Sequence, residues 1–126
     1  MSMRCDVVIP TYNNAAVLPL TLRALGEQEI PPGWSVQVLI SDDGSEDDTV
    51  EVAKSQLSDN DLSSEVLSGP HTGPAGSRNR VLRQADADVI FFLGADIILR
   101  PGALAEHLRF HEENSGASWA ALGFSL

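Results

Sequence analysis

The chain has 126 residues, of which 43% are hydrophobic and 21% are charged, as in a single globular domain with room for a core. Its net charge is −10 and its eight Lys and Arg residues are scattered, which excludes the basic patch of a nucleic-acid binder and argues against an anionic membrane surface. No apolar run approaches the roughly 20 residues that cross a bilayer, so no transmembrane segment is expected. The single cysteine excludes an internal disulfide and is consistent with a reducing compartment.

Strand-like and helix-like patterns alternate in the first half of the chain. A short β-branched run at residues 5–9 predicts the first strand, and apolar residues at helical spacing predict a helix from near residue 17 to residue 28. Residues 36–40 predict the second strand. Residues 46–57 predict the second helix, with Ser45 as its N-cap.

The alternation continues in the second half. Residues 64–67 predict a weak third strand, and the Gly/Pro-rich segment 69–76 predicts a loop. A helix is predicted over residues 77–85. The run 89–93 is apolar at every position, which predicts a fourth strand buried on both faces of a parallel sheet.

A helix over residues 101–114 and the start of a fifth strand over residues 119–126 complete the pattern. Strands that alternate with helices predict an α/β domain with a mostly parallel sheet. Right-handed crossovers place the loops that follow the strands at one edge, where ligands of such sheets bind. We therefore expect Asp42, Asp43 and Asp96 to converge there.

Asp42 and Asp43 follow the second strand and precede Gly44 and Ser45. One carboxylate could brace the N–H groups of the turn while the other accepts a hydrogen bond from a ligand. The alternative is a capped turn with solvated acids, because Asp-Gly-Ser is common turn chemistry.

The glycine-rich loop leads to Arg78, which we expect in the first turn of the third helix, where it could bind a phosphate beside the helix N-terminus. The alternative is a flexible loop with a surface arginine. The loop lacks the spacing and the lysine of a P-loop, and no GxGxxG follows the first strand. His71 also lies in this loop, without a further motif to support it.

Asp96 stands between two apolar runs after the fourth strand. It could hold Mg²⁺ or Mn²⁺ against the phosphates of a ligand, or it could cap its own loop. His107 and His111 have the spacing of a helical metal pair, but without a third ligand a solvated helix face is the better interpretation.

Three stretches taken together, "DVVIPTYNNAAVLPLTLRALGEQ", "VQVLISDDGSEDDTVEVA" and "GPAGSRNRVLRQADADVIFFLGADIILRPGALAEH", resemble family 2 glycosyltransferases, the inverting GT-A group, from residue 6 to residue 126. The resemblance implies a Rossmann-like, three-layer α/β/α fold that is incomplete at its C-terminus. It implies that residues 1–126 are the donor-binding part, that the donor is a nucleotide-diphosphate sugar such as a UDP-sugar, and that the acceptor part is absent.

The resemblance also implies roles for residues. Pro10, Thr11 and Tyr12 match the residues that flank the nucleobase, Asp42 matches the acid that contacts the base, and Gly94-Ala95-Asp96 takes the place of the Asp-x-Asp metal motif. The implied substrate-binding residues are Pro10, Thr11, Tyr12, Asn13, Asp42, Asp43, Gly76, Arg78, Asn79 and Ala95, and the implied ligand of a divalent metal, Mg²⁺ or Mn²⁺, is Asp96.

The sequence departs from the family pattern at Gly94, where an acid is expected. The catalytic base is expected beyond residue 126, so no catalytic residue is assigned and we expect this chain alone not to transfer sugar. We expect a cytoplasmic location, with association to the membrane face through absent regions. The alternatives are a non-catalytic nucleotide-sugar binding module and a nucleotidyltransferase, although "PTYNNAAV" is not the glycine-rich basic loop of the latter.

Overall fold

A computed structural model describes residues 2–82 and 86–114. The alternation of strands and helices predicted from the sequence is confirmed. The predicted fifth strand at residues 119–126 lies outside the described residues. In chain order, the elements are β1 (Met3–Thr11), α1 (Leu18–Gly26), β2 (Trp34–Asp42), α2 (Thr49–Ser58), β3 (Ser63–Ser68), α3 (Pro74–Leu82), β4 (Val89–Phe92) and α4 (Ala103–Glu113).

The four described strands form one parallel sheet in the order β3-β2-β1-β4. The pairing of β1 with β2 runs from Met3 opposite Trp34 to Thr11 opposite Asp42, so the two strands end side by side. The N–H of Asp43 donates to the carbonyl oxygen of Thr11 at 2.9 Å and carries the ladder one residue further. The turns after β1 and β2 are thereby fixed against each other at one edge.

Alternating side chains of the strands pack against helices on both faces of the sheet, because successive residues of a strand point to opposite sides. Val7 of β1 belongs to the larger core, with α1 and α4, whereas Val8 packs on Val81 of α3 in a smaller cluster. This arrangement gives the predicted three layers. The fully buried members of the larger core include Val7, Ile9, Leu18, Leu22, Leu25, Val38, Ile40, Leu104 and Leu108.

The N-terminus of α2 differs from the prediction. The helix begins at Thr49 and not at residue 46, and its N-cap is Asp48, without a side-chain cap. Ser45 does not cap it, because it lies four residues before Thr49 and its hydroxyl oxygen accepts the N–H of Asn13 instead. Its own N–H and hydroxyl donate to the carboxylate of Asp42. Thus the prediction of Ser45 as a helix cap was wrong, and Ser45 instead closes the turn after β2.

Helix α3 begins at Pro74, three residues before the predicted start. Proline is favoured in a first turn because its missing N–H would lack an intrahelical partner there. Arg78 therefore lies in the second turn and not, as predicted, in the first. None of the described helices is long and apolar enough to span a membrane.

Strand β4 ends at Phe92, and its burial on both faces was wrongly predicted. Its residues are only partly buried, and Phe92 is 51% exposed. Among the described strands, β4 pairs with β1 alone and lies at an edge of the sheet. Helix α4 likewise starts later than predicted, at Ala103, after Gly102 with a φ of 85°.

Candidate functional site

A cavity of about 440 Å³ opens at the carboxyl edge of the sheet. Its walls come from the end of β1, the turn after β2, the β3–α3 loop with the start of α3, and the end of β4 with the two residues after it. The predicted convergence of strand ends is therefore found. The cavity is lined by Pro10, Thr11, Tyr12, Asn14, Asp43, His71, Pro74, Ser77, Arg78, Phe92, Leu93 and Gly94.

The carboxylate of Asp42 braces the turn after β2. Its Oδ1 accepts the hydroxyl of Thr11 at 2.8 Å and that of Ser45 at 2.6 Å. Its Oδ2 accepts the N–H of Ser45 at 2.9 Å. Asp42 is 2% exposed and does not line the cavity. The structure thus gives Asp42 the bracing role that the sequence left open between the two acids.

The carboxylate of Asp43 lines the cavity and holds the β3–α3 loop. Its Oδ1 accepts the N–H of Thr72 at 2.6 Å, and its Oδ2 accepts the N–H of Gly73 at 2.9 Å. The imidazole Nδ1 of His71 lies 2.8 Å from the same Oδ2. These donors, the Thr72 N–H above all, lower the pKa of Asp43 below its ordinary value of 3.8. Asp43 is therefore ionised at neutral pH.

Tyr12 and His71 form an aromatic pair on the wall of the cavity. Their ring centroids lie 4.4 Å apart with the planes at 33°. Tyr12 is 41% exposed, and 58% of the His71 side chain is exposed. Sequence reasoning left His71 out of the predicted site, because only the fold brings residue 71 beside residue 12.

Arg80 fixes the β3–α3 loop to the end of β2. Its Nη1 donates to the carbonyl oxygen of Asp42 at 2.9 Å, and its Nη2 donates to that of Pro70 at 3.2 Å. Gly76 closes the other side of the loop: a Cβ there would lie 2.4 Å from Oγ1 of Thr72. Gly76, which was predicted to lie near a ligand, is thus needed for packing within the loop, and it does not line the cavity.

The start of α3 is seated on β2 by two buried serines, of which Ser77 was missed at the sequence level. The hydroxyl of Ser77 donates to the carbonyl oxygen of Ser41 at 2.8 Å, and that of Ser41 donates to the carbonyl oxygen of Ser77 at 2.7 Å. A larger side chain would hold the helix away. This seat brings the N-terminus of α3 and the exposed Arg78 to the cavity, whereas Asn79 faces elsewhere.

Asn13 ties the turn after β1 to the turn after β2. Its N–H donates to the hydroxyl of Ser45 at 2.9 Å, and its Oδ1 accepts the N–H of Glu46 at 2.8 Å. Its φ of 51° is positive, which asparagine tolerates better than most residues. Asn13 thus shapes the rim without lining the cavity, and its neighbour Asn14, which was not predicted, lines it.

The turn after β4 carries the predicted metal ligand. Ala95 is buried, and its carbonyl oxygen accepts the hydroxyl of Thr21 at 2.7 Å. Asp96 is exposed, and within residues 2–82 and 86–114 its carboxylate has no hydrogen-bond partner. A Cβ on Gly94 would lie 3.0 Å from Cγ1 of Ile97 and 3.2 Å from Oδ1 of Asp96, so Gly94 and Asp96 are adjacent.

The described part of the chain contains no cluster of three His, Cys, Asp or Glu side chains that could hold a metal by themselves. Asp96 borders the cavity beside Gly94 but does not line it. Among the predicted residues, the cavity is lined by Pro10, Thr11, Tyr12, Asp43 and Arg78, while Asn13, Asp42, Gly76, Asn79, Ala95 and Asp96 lie outside its lining.

Comparison with known proteins gives a consistent match. The model of the family described as "Glycosyl transferase family 2" matches residues 6–122. The chain is 32% identical over 110 residues to the uncharacterised glycosyltransferase YfnE of Bacillus subtilis. That match covers 87% of this chain but only 27% of YfnE, so the chain spans about a quarter of the length of this curated relative.

Solved structures agree with this match. TarS 1–349 of S. aureus, in complex with UDP-GlcNAc, superposes with a TM-score of 0.75 at 25% identity and covers 98% of this chain and 38% of that one. The mannosyltransferase PcManGT of Pyrobaculum calidifontis, in complex with GDP-Man and Mn²⁺, superposes with a TM-score of 0.76 at 25% identity and covers 88% and 33%.

Proposed function

The chain belongs to glycosyltransferase family 2, and we propose that it forms the part of such an enzyme that binds the nucleotide-diphosphate sugar donor. For the whole protein, the proposed activity is transfer of the sugar to an acceptor hydroxyl with inversion. The observation that carries the proposal is the composition of the cavity: an aromatic ring, an ionised carboxylate and an arginine line one opening at the carboxyl edge of a parallel sheet. That edge is where α/β sheets bind nucleotides.

We place the nucleobase against Tyr12 and Asp43. A base can stack on the phenol ring, and the imide N–H of uracil or guanine can donate to a carboxylate. Asp43 takes this role in place of Asp42, because both carboxylates are buried and hydrogen-bonded to the protein, but only that of Asp43 lines the cavity. Complexes of similar structures with UDP-GlcNAc and GDP-Man support a donor with such a base.

We place the diphosphate near Arg78 and the N-terminus of α3. The net charge of −10 opposes an anionic ligand at long range, so the diphosphate needs local positive charge. Arg78 lines the cavity and is exposed. Its Nε donates to the carbonyl oxygen of Pro74, and within the described residues its two terminal nitrogens make no hydrogen bond. Pro74 and Ser77, in the first turn of α3, line the same wall, where the helix dipole favours an anion.

The turn after β4 is suited to a divalent cation that is coordinated by both the protein and the phosphates of the ligand. Asp96 offers one exposed carboxylate without a protein partner, and Mg²⁺ or Mn²⁺ commonly takes one or two carboxylates and completes its shell with phosphate and water. When bound, such an ion neutralises charge on the leaving diphosphate. Asp96 is therefore the proposed metal ligand. The Mn²⁺ in the structure of PcManGT is consistent with it.

The transfer step requires a base that deprotonates the acceptor hydroxyl. We assign no catalytic base within this chain, so its proposed role is to bind and orient the donor. Tyr12 and Asp43 hold the base and Arg78 holds the diphosphate. We place the sugar near Phe92, Leu93 and Gly94, which form the remaining wall of the cavity at the end of β4.

Calorimetric titration with uridine, UMP, UDP and GDP in the presence of Mn²⁺ tests the proposal. UDP should bind more tightly than uridine, because the diphosphate adds contacts to Arg78 and to α3. Arg78→Gln should remove most of the gain from uridine to UDP and leave uridine itself unaffected. Arg109→Gln is the matched control, since Arg109 is an exposed arginine of α4 away from the cavity.

Absence of UDP and GDP binding by the wild-type chain would contradict the proposed function. If Arg78→Gln and Arg109→Gln lowered UDP affinity equally, the loss would come from the net charge of the chain. The assignment of Arg78 to the diphosphate would then be wrong.

A further inference from the structure

His71 makes two contacts that a nucleobase would make at the proposed base site. Its ring lies against Tyr12 with centroids 4.4 Å apart. Its Nδ1 lies 2.8 Å from Oδ2 of Asp43. A planar ring that lies against the tyrosine, here tilted by 33°, and that presents a ring nitrogen to the carboxylate also describes how the imide edge of uracil or guanine would sit.

The proton on His71 is fixed by its neighbours. Nδ1 faces two oxygens of Asp43, the carboxylate Oδ2 at 2.8 Å and the carbonyl oxygen at 3.1 Å. Both oxygens can only accept, so Nδ1 must carry the hydrogen. His71 therefore presents an N–H to Asp43, which is the hydrogen-bonding group that an imide nitrogen would present.

We propose that His71 occupies the nucleobase subsite of the nucleotide-free protein as an internal ligand, and that the incoming base displaces it from Tyr12 and Asp43. This inference rests on the proposed function, because it needs the base to bind at Tyr12 and Asp43. Two rings cannot hold the same face of Tyr12 at once. Oδ2 of Asp43 already accepts the N–H of Gly73, so while His71 is in place it has no further lone pair for the base. Donor affinity is therefore lowered by the free energy of the His71 contacts.

The surroundings of His71 allow it to leave. Fifty-eight per cent of its side chain is exposed, so rotation outward removes little buried surface. The loop does not have to move with it, because the N–H groups of Thr72 and Gly73 hold Asp43 independently. Arg80 also ties the preceding residue, Pro70, to the end of β2. Rotation of one side chain therefore suffices to open the subsite.

The same attachments keep Asp43 ready for the base. When His71 leaves, Oδ2 retains the N–H of Gly73 and Oδ1 retains that of Thr72, so the carboxylate keeps its orientation. The base then meets a site whose backbone is already formed. The cost of binding is confined to breaking the ring contact with Tyr12 and the contacts of one N–H with two oxygens of Asp43.

Titration of the wild-type chain, His71→Ala and His71→Phe with UDP and with GDP, in the presence of Mn²⁺, tests this inference. His71→Ala removes both competing contacts and should bind the nucleotide about 5- to 30-fold more tightly. His71→Phe keeps a ring for Tyr12 but loses the N–H, so its gain should be smaller. His111→Ala, on α4 and outside the cavity, is the control and should leave affinity unchanged.

The ring contact itself gives a second measurement. Tyr12 is the single tyrosine and His71 is one of three histidines, so a nuclear Overhauser effect between their rings is assignable. It should be present in the free chain and lost at saturation with UDP. Its persistence in the saturated complex would overturn the proposal, as would unchanged or weaker nucleotide binding by His71→Ala.

The two proposals fail in different ways. If the wild-type chain binds UDP and His71→Ala binds it no better, the internal ligand is refuted while donor binding stands. If neither UDP nor GDP binds to the wild type or to any variant, donor binding fails and the internal ligand fails with it.

Discussion

The turn after β2 and the turn after β4 lie at the same edge of the sheet and both carry acids, yet they are built in opposite ways. Asp42 and Asp43 accept hydrogen bonds from the turn itself and from the β3–α3 loop. Asp96 is exposed and has no hydrogen-bond partner within the described residues. Carboxylates that hold protein donors shape a site in advance, whereas a carboxylate without them can interact with a cation at little cost to the fold.

Replacing Asp43 should produce the largest change in ligand binding. In Asp43→Asn the side chain loses its charge, and its amide N–H₂ opposes the N–H of Thr72 or Gly73. Hydrogen bonds to a charged group are stronger than those to a neutral one, so UDP affinity should fall about 10- to 100-fold in calorimetric titration. Asp48→Asn is the matched control, because Asp48 is exposed and makes no side-chain cap.

If Asp43→Asn and Asp48→Asn changed UDP affinity equally, only the net charge of the chain would matter. The placement of the base at Asp43 would then be wrong.

Replacing Asp42 should mainly change stability. Asp42→Asn puts an amide donor where three hydrogen-bond donors meet, in a side chain that is only 2% exposed. The free energy of unfolding should fall by about 1–3 kcal/mol in urea. Glu46→Gln, an exposed acid of the following residues, serves as the control. If Asp42→Asn unfolded with the free energy of the wild type but no longer bound UDP, Asp42 would instead be assigned to direct contact with the base.

The pH dependence of the free energy of unfolding should also report the hydrogen bonds to Asp43, with a smaller effect than the substitutions above. The pKa of Asp43 in the folded chain lies below 3.8, so the folded state holds this proton less tightly than the unfolded state. Asp43 therefore contributes stability above the ordinary pKa, and this contribution is lost as the pH falls below 3.8 toward the folded pKa. Urea unfolding from pH 6 to pH 2 should show a weaker acid dependence for Asp43→Asn than for the wild type.

Asp47 also has a lowered pKa, chiefly through the hydroxyl of Thr49. Part of the acid dependence should therefore remain in Asp43→Asn. An acid dependence identical to that of the wild type would contradict the role of the Thr72 and Gly73 N–H groups.

Changes at the turn after β4 should have the smallest effect on stability. Asp96→Asn removes an exposed acid without a partner among the described residues, so unfolding free energy should change by no more than about 0.5 kcal/mol. In Asp96→Asn, the difference between UDP affinity with and without Mn²⁺ should be smaller than in the wild type. Gly94→Asp should enlarge it, because it adds a second carboxylate beside Asp96 at the cost of a small shift of Ile97.

Equal effects of Mn²⁺ on the wild type, Asp96→Asn and Gly94→Asp would remove Asp96 as the metal ligand. A large loss of stability in Asp96→Asn would show that the turn after β4 is as tightly bonded as the turn after β2.

The sequence predicted which segments form the strands, but it did not predict how deeply each strand is buried or which side chains its ends contact. The run at β4 is apolar throughout, as a buried strand would be, yet Phe92 is 51% exposed and lines the open cavity at the end of the strand. The start of α2 was misjudged for a related reason. Ser45 has the hydroxyl oxygen that a helix cap needs, but that oxygen accepts the N–H of Asn13 and its hydroxyl donates to Asp42, so Ser45 serves the turn after β2.

Local pattern alone determined the α/β alternation, the parallel sheet and the edge at which the polar strand ends meet, because hydrophobic periodicity and crossover handedness depend on short stretches of chain. Only the tertiary structure decided which of the two acids after β2 braces its turn and which lines the cavity. Asp42 and Asp43 are adjacent and chemically identical, and they differ because Thr11 and Ser45 reach one while Thr72 and Gly73 reach the other. The contact of His71 with Tyr12 joins residues 59 positions apart, which no local pattern encodes.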